Sequence, residues 1–295
     1  MKINKLIINL YNRPSRLIHT INELRKVNLS DYIIRIEACT KNDAEKNKDQ
    51  YISLKAYRNI KNTKCTTIIP NLAACACAMS HIKCWKYIVD NNITHSYIIE
   101  DDIEITNIDL FKLNIHLKKN IINLNNNNKL FISFNSNIVK LNNFPDTSIE
   151  DYSNIKKING LLVGTHFYYI NYNMAKYLLT SCINITYQID IEIGIIALKK
   201  YYCDYIKFLN IDTKCIRQSK KFNSDIQYYM ISINELNNIL RFPKEVNAII
   251  FKFIPDHLKK NKNVLNKNNR NLKNVLNDRN FIDKLSYYMY DSYMN

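Results

Sequence analysis

The chain has 295 residues, 46% of them hydrophobic, which is enough for a large α/β domain with an extension and a proper core. Its net charge of +16 attracts phosphates and other anions, but there is no long run of one sign and no Arg-rich stripe, which argues against a dedicated nucleic-acid binder. Met1–Leu10 is too short and polar for a signal peptide and no stretch nears eighteen apolar residues, so we expect a cytoplasmic protein without a transmembrane segment and with its 8 cysteines mostly reduced and buried.

In chain order, Lys5–Leu10 reads as a first strand and Pro14 opens a helix to about Val27. Tyr32–Ala38 is a second strand, and the polar residues 41–64 form a helix plus loops. Asn71–Asp90 has the clearest helical pattern. Leu72, Ala76, Met79, Lys83 and Tyr87 fall on one side of it, and Cys77, His81, Cys84, Trp85 and Ile88 on the other. Ser96–Glu100 is a strand, Ile108–Ile122 a helix, Asn125–Asn128 a polar loop and Leu130–Phe134 a strand. Leu161–Asn171 reads as one strand, Met174–Thr180 begins a helix, Ile189–Lys200 is a helix, and Tyr202–Leu209 is the last strand. This alternation predicts a mostly parallel sheet flanked by helices, with ligands at the carboxyl ends of the strands. Past about residue 230 the character changes, so the division is 1–230 as the main domain and 231–295 as a basic helical extension. Within that extension Lys259–Lys273 reads as a linker or mobile loop. Phe242-Pro243-Lys244-Glu245-Val246 starts an ordinary amphipathic helix, with a weaker likeness to an F-box helix.

Glu100-Asp101-Asp102 ends an apolar run, so three carboxylates arrive together at a sheet edge and repel one another unless a cation joins them. Residues i and i+2 of extended backbone share a side, so Glu100 and Asp102 could reach one hard ion such as Mn²⁺ or Mg²⁺. The plainer reading is a solvated acidic turn. Asn9-Leu10-Tyr11-Asn12-Arg13-Pro14-Ser15-Arg16 is a strand-to-helix turn whose arginines and amides suit a diphosphate. Ser80, His81 and Trp85 fall on the Asn71–Asp90 helix, where a core helix with one satisfied histidine is the bland alternative. Cys75, Cys77, His81 and Cys84 offer a zinc-like set, but no second knuckle exists to complete a structural site. Gly164-Thr165-His166 contains one of only 3 glycines, which marks a tight backbone position.

These pieces, in this order, resemble glycosyltransferase family 25: Asn9, Arg13 and Arg16; Ser80, His81 and Trp85; Glu100, Asp101 and Asp102; Gly164, Thr165 and His166; then Gln218 with Ser224-Asp225-Ile226. The resemblance covers roughly residues 3–227. It implies a GT-A-like fold and transfer of a hexose, galactose or glucose, from a nucleoside-diphosphate sugar, UDP-linked, to a glycan or protein hydroxyl. In that reading Glu100 and Asp102 hold Mn²⁺ or Mg²⁺. Asn9, Arg13, Arg16, Ser80, His81, Gly164, Thr165 and His166 surround the donor. An inverting transfer needs a carboxylate base, for which Asp190 is the candidate and Glu192 the fallback, although Asp190 could equally be a helix cap. The chain departs from the family where glycines and an acid precede the Cys-x-x-Ser-His stretch: here the run is Leu72-Ala73-Ala74-Cys75-Ala76-Cys77. That departure motivates a second reading, a catalytically degenerate member acting as a binding or interaction protein.

Overall fold

The computed structural model describes residues 3–222, apart from 63–67, 125–127, 135, 141–147, 150–151, 212–213 and 220. The expected extension at 231–295 and the segment Ser224-Asp225-Ile226 lie outside the described residues. Strand β1 (Asn4–Asn9) leads through a turn to α1 (Pro14–Lys26), with Pro14 in the first turn, where its missing N–H costs nothing. Strand β2 (Ile33–Glu37) follows. Residues 41–64 yield two helices, α2 (Lys41–Tyr51), closed by a Thr40–Asp43 capping box, and α3 (Leu54–Asn62). Helix α4 (Leu72–Asp90) starts at Asn71, whose side chain accepts the Ala74 N–H. Then come β3 (His95–Glu100), β4 (Ile103–Ile105), α5 (Ile108–Leu124), β5 (Lys129–Phe134), β6 (Asn137–Lys140), β7 (Ser148–Ile149), β8 (Tyr152–Lys157), β9 (Gly160–Val163), β10 (Phe167–Asn171), α6 (Tyr172–Ser181), α7 (Ile189–Lys199), β11 (Ile206–Ile211) and β12 (Ile216–Gln218).

Eight strands form one sheet in the order β2-β1-β3-β10-β5-β11-β8-β7. The pairs β1–β2, β1–β3 and β5–β11 are parallel, while β10 and β8 run antiparallel to both neighbours. Most strands therefore point one way, as the alternation of elements implied. Side chains alternate across this sheet. Leu6, Ile8, Ile98, Phe131, Tyr168 and Ile170 face a core shared with α4 and α6. Ile7, Tyr97, Ile99, Ile132, Phe167 and Tyr169 face a second core with Leu24 of α1 and Phe111 of α5. Helices thus cover both faces.

The chain leaves β1 toward β2 on one side and returns to β3 on the other, so the order reverses at β1. In open α/β sheets a ligand crevice opens at such a switch, here beyond the carboxyl ends of β1 and β3. Asn9 and Glu100 are the last residues of those strands.

Two expectations change. Leu161–Asn171 is two strands, because Gly164 adopts φ +94 and turns the chain out of the extended region. Its halves then separate, β9 pairing with β6 and β10 entering the main sheet. The strand expected at Tyr202–Leu209 lies at Ile206–Ile211 instead, since Tyr202 and Tyr205 are exposed and pairing with β5 starts at Ile206.

Candidate active site at the ends of β1 and β3

Two cavities meet at the carboxyl edge of the sheet. The larger, about 460 Å³, is bounded by the β1–α1 turn, the start of α4 and the acids at 100–102. The smaller, about 280 Å³, is bounded by Gly164–His166 and the start of α7. Cys77, Glu100 and Gln218 belong to both, so they form the wall between them. A small ligand site of ordinary size fits the larger cavity.

The three acids have three different surroundings. Glu100 accepts the Thr165 hydroxyl on Oε1 at 2.9 Å, has His81 Nε2 at 3.5 Å, and accepts Gln218 Nε2 on Oε2 at 3.4 Å. Burial alone would raise its carboxyl, but hydrogen bonding and attraction from His81, with His166 and Thr165, hold it below the ordinary range. Asp101 accepts Asn9 Nδ2 at 2.6 Å and Arg16 at 3.1 Å. Burial raises its carboxyl all the same, with Asn9 and Arg16 offsetting part of the effect. Asp102 is buried and its Oδ1 has no hydrogen-bond partner among the described residues. Burial, then repulsion from Glu100 and Asp101, pushes its carboxyl up to about 7. Strand β12 pairs with β4, and the Ser219 N–H donates to the Asp102 carbonyl, which brings Gln218 to Glu100.

Asn9 is wholly buried. Its amide donates to Asp101 and to the Arg13 carbonyl, and its oxygen accepts Arg35 Nε at 3.0 Å. Asn9 and Asp101 therefore brace the turn under the larger cavity, and Arg16, held by Asp101 and lying over the Phe222 ring, lines that cavity beside Arg13. Ser80 is a brace too: its hydroxyl donates to the Ala76 carbonyl and accepts the Cys39 N–H, joining α4 to the end of β2.

His81 and Trp85, one turn apart on α4, converge on one atom. His81 Nδ1 and Trp85 Nε1 each lie 3.0 Å from the Tyr168 hydroxyl. His81 Nε2 faces Thr165 Oγ1 at 3.3 Å. The spaced Ser-His/Trp pattern and the Gly-Thr-His pattern thus meet at His81, which touches Thr165 on one side and, with Trp85, the Tyr168 hydroxyl on the other. Sequence reasoning passed over Tyr168, since an aromatic residue in a strand reads as core, and it passed over Cys77 as a cavity residue. The earlier four-ligand zinc set is not assembled: Cys75 and Cys84 are fully buried in the core.

Gly164 N–H donates to Asp190 Oδ2 at 2.9 Å, and Asp190 Oδ1 accepts the Ile191 N–H at 2.8 Å. Asp190 is half-buried at the start of α7 and lines the smaller cavity. Burial raises its carboxyl, the two amides lower it, and Glu100 raises it further. It therefore caps and is open to a ligand at once. Glu192 is buried and accepts the N–H groups of Thr186 and Tyr187, so it ties down the segment before α7 and lines neither cavity. His166, also buried, lines the smaller cavity with no partner for Nε2 among the described residues, and burial lowers its imidazole.

The family model described as glycosyltransferase family 25 (LPS biosynthesis protein) matches residues 2–193, about two thirds of the chain. No curated protein sequence matches. Among solved structures the chain is similar to a UDP-glucose pyrophosphorylase complexed with UDP-glucose, at 8% identity and a TM-score of 0.37, over 72% of this chain and 91% of that one.

Proposed function

The chain belongs to glycosyltransferase family 25, and we propose that it moves a hexose, galactose or glucose, from a UDP-linked or similar nucleoside-diphosphate sugar to a hydroxyl of a glycan or protein, with Mn²⁺ or Mg²⁺. As a member of that family it is a glycosyltransferase; donor sugar, acceptor and metal dependence are our reading. The observation that carries it is the pair of cavities meeting at Glu100. One is lined by arginines and acids, the other by the half-buried Asp190.

The residues present fit a hard ion. Glu100 and Asp102 offer oxygens, and the buried, unpartnered Asp102 Oδ1 is an acceptor that a cation would satisfy. When bound, such an ion neutralises charge gathering on the departing diphosphate. Arg13 and Arg16 line the same cavity and face the phosphates. The acceptor occupies the smaller cavity. Its oxygen attacks the anomeric carbon as the bond to the diphosphate oxygen breaks, and its proton passes to Asp190. Burial raises the Asp190 carboxyl, which makes it a better base. The Gly164 amide holds that carboxylate in place, and Thr165 with His81 holds Glu100. In our reading the domain is 1–230 with an extension at 231–295, a GT-A-like transferase acting in the cytoplasm without binding nucleic acid. No helix among the described residues is long and apolar enough to cross a membrane.

A second reading, a binding protein without turnover, is favoured by Ala73 and Ala76, which line the larger cavity where a glycine would leave more room. Radiolabelled UDP-galactose and UDP-glucose, with Mn²⁺ or with chelator, separate the two. Metal-dependent transfer or hydrolysis that falls at least a hundredfold in Asp190→Asn supports the enzyme. Ligand binding with no turnover of any common donor supports the binding protein.

A further inference from the structure

The wall between the two cavities holds a donor set that the hard-ion reading does not use. Cys77 and His81 lie one turn apart on α4, and Glu100 ends β3. Among the described residues they form the one group of three or more His, Cys, Asp or Glu side chains whose ligand atoms all lie within 4.8 Å of one another. We propose that Cys77 Sγ, His81 Nε2 and a Glu100 carboxylate oxygen form a site for a zinc-class divalent cation, with its open position toward the cavities.

Four features support this site. The first is the donor chemistry. Mixed sulfur, nitrogen and oxygen ligands suit zinc, whereas magnesium and manganese favour oxygen alone. Three protein ligands with one open position is also the usual form of an accessible zinc site. The second is the setting of the imidazole. The His81 ring is fully buried, with Nδ1 on the Tyr168 hydroxyl and Nε2 toward Glu100. A phenol oxygen can accept both Trp85 Nε1–H and His81 Nδ1–H. With an ion bound, Nε2 gives up its hydrogen bond to Glu100 and ligates through its lone pair, while Nδ1 on the Tyr168 hydroxyl supplies the outer hydrogen bond that orients ligating histidines. The third is access: Cys77 and Glu100 line both cavities, so a hydrated ion reaches them. The fourth is charge. The groups acting on Cys77 through space are Glu100, Asp190 and Asp102, all acids. A cation placed among them is attracted, and its binding to Cys77 releases the thiol proton.

Glu100 is shared with the hard-ion site, so zinc held here would compete with Mn²⁺ and depress transfer. That consequence rests on the transferase reading, but the site itself does not, and its test reads binding alone. Chelator-stripped full-length protein is titrated with Co²⁺ and followed by absorption. The expected result is a near-ultraviolet thiolate–cobalt band that saturates at one equivalent and is displaced by Zn²⁺. Cys77→Ser should abolish the band and weaken Zn²⁺ binding at least tenfold, while Cys203→Ser, outside the cluster, should change neither. Near-ultraviolet circular dichroism checks that each variant is folded. Absence of the band in the unmutated protein, or its persistence in folded Cys77→Ser, overturns the proposal. Unchanged Zn²⁺ affinity in Cys77→Ser does so as well.

Discussion

Asp102 carries a clear electrostatic penalty. Its carboxyl titrates near 7 in the folded chain against an ordinary 3.8. The sign follows directly. Below about pH 4 both states are protonated and there is no difference. As pH rises toward 7 the unfolded chain ionises first, so stability falls across that window and then levels off. Asp102→Asn in metal-free protein should therefore match the parent near pH 4 and exceed its stability by on the order of 2 kcal/mol at pH 8, as urea melts at the two pH values would report. The same variant should lose transfer, the usual exchange between stability and function at a strained site. Asp101 is raised by burial as well but, unlike Asp102, it has partners. Its carboxylate joins Asn9 and Arg16, residues 92 and 85 positions distant in sequence. Asp101→Ala should cost about 3 kcal/mol by chemical denaturation. Combined with Arg16→Met it should cost less than the two changes summed, because the two side chains share one interaction. The acids were legible as a strand end, with Glu100 and Asp102 on one side and Asp101 apart, but the partners of Asp101 were not, since they come from β1 and α1.

Helix α4 and the strand pair β9–β10 show why motifs spaced along a chain can be one device. His81 and Trp85 sit four apart, which sequence alone allows to be a core stripe; Tyr168 makes them a network because its hydroxyl meets His81 Nδ1 and accepts Trp85 Nε1–H. Only the antiparallel pairing of β10 with β3, which sets Tyr168 against Ile98, places that hydroxyl there. Glycine tells a similar story. Gly164 was legible as a tight position from scarcity, and its φ of +94 confirms it. Gly194 was not, because nothing local distinguishes it. A Cβ there would lie 2.5 Å from the Leu162 amide nitrogen on β9, so α7 packs on bare backbone at this point. Gly194→Ala should destabilise by about 2–3 kcal/mol, lowering the melting temperature, even though alanine favours helix. Little or no loss would mean that α7 slides away from β9 freely.

At the scale of the molecule, the site draws on β1, β3, α1, α4, α7 and β12, so a ligand there should tie distant parts of the chain together. A nucleoside diphosphate with Mn²⁺ at a hundredfold excess over its dissociation constant should add about 2.7 kcal/mol of stability. For a domain of this size that is a rise of roughly 5–10 °C in thermal melting. The metal and the nucleotide added separately should give less. The alternation of apolar runs with amphipathic helices was enough to specify an α/β sheet with helices on both faces. The run ending in Glu100-Asp101-Asp102 likewise located acids at a strand end, because period and composition are local properties that the chain carries whether folded or not. The ordered motifs placed the chain in its family for the same reason. Tertiary structure alone decided which atoms face one another: that Asn9, Arg16 and Asp101 brace each other, that Glu192 is spent on backbone amides while Asp190 reaches a cavity, and that Cys77 meets His81 and Glu100. Those choices depend on strand order and on a switch point between β1 and β3. Both are set by long-range pairing whose partners, tens of residues away, leave no local trace in the sequence.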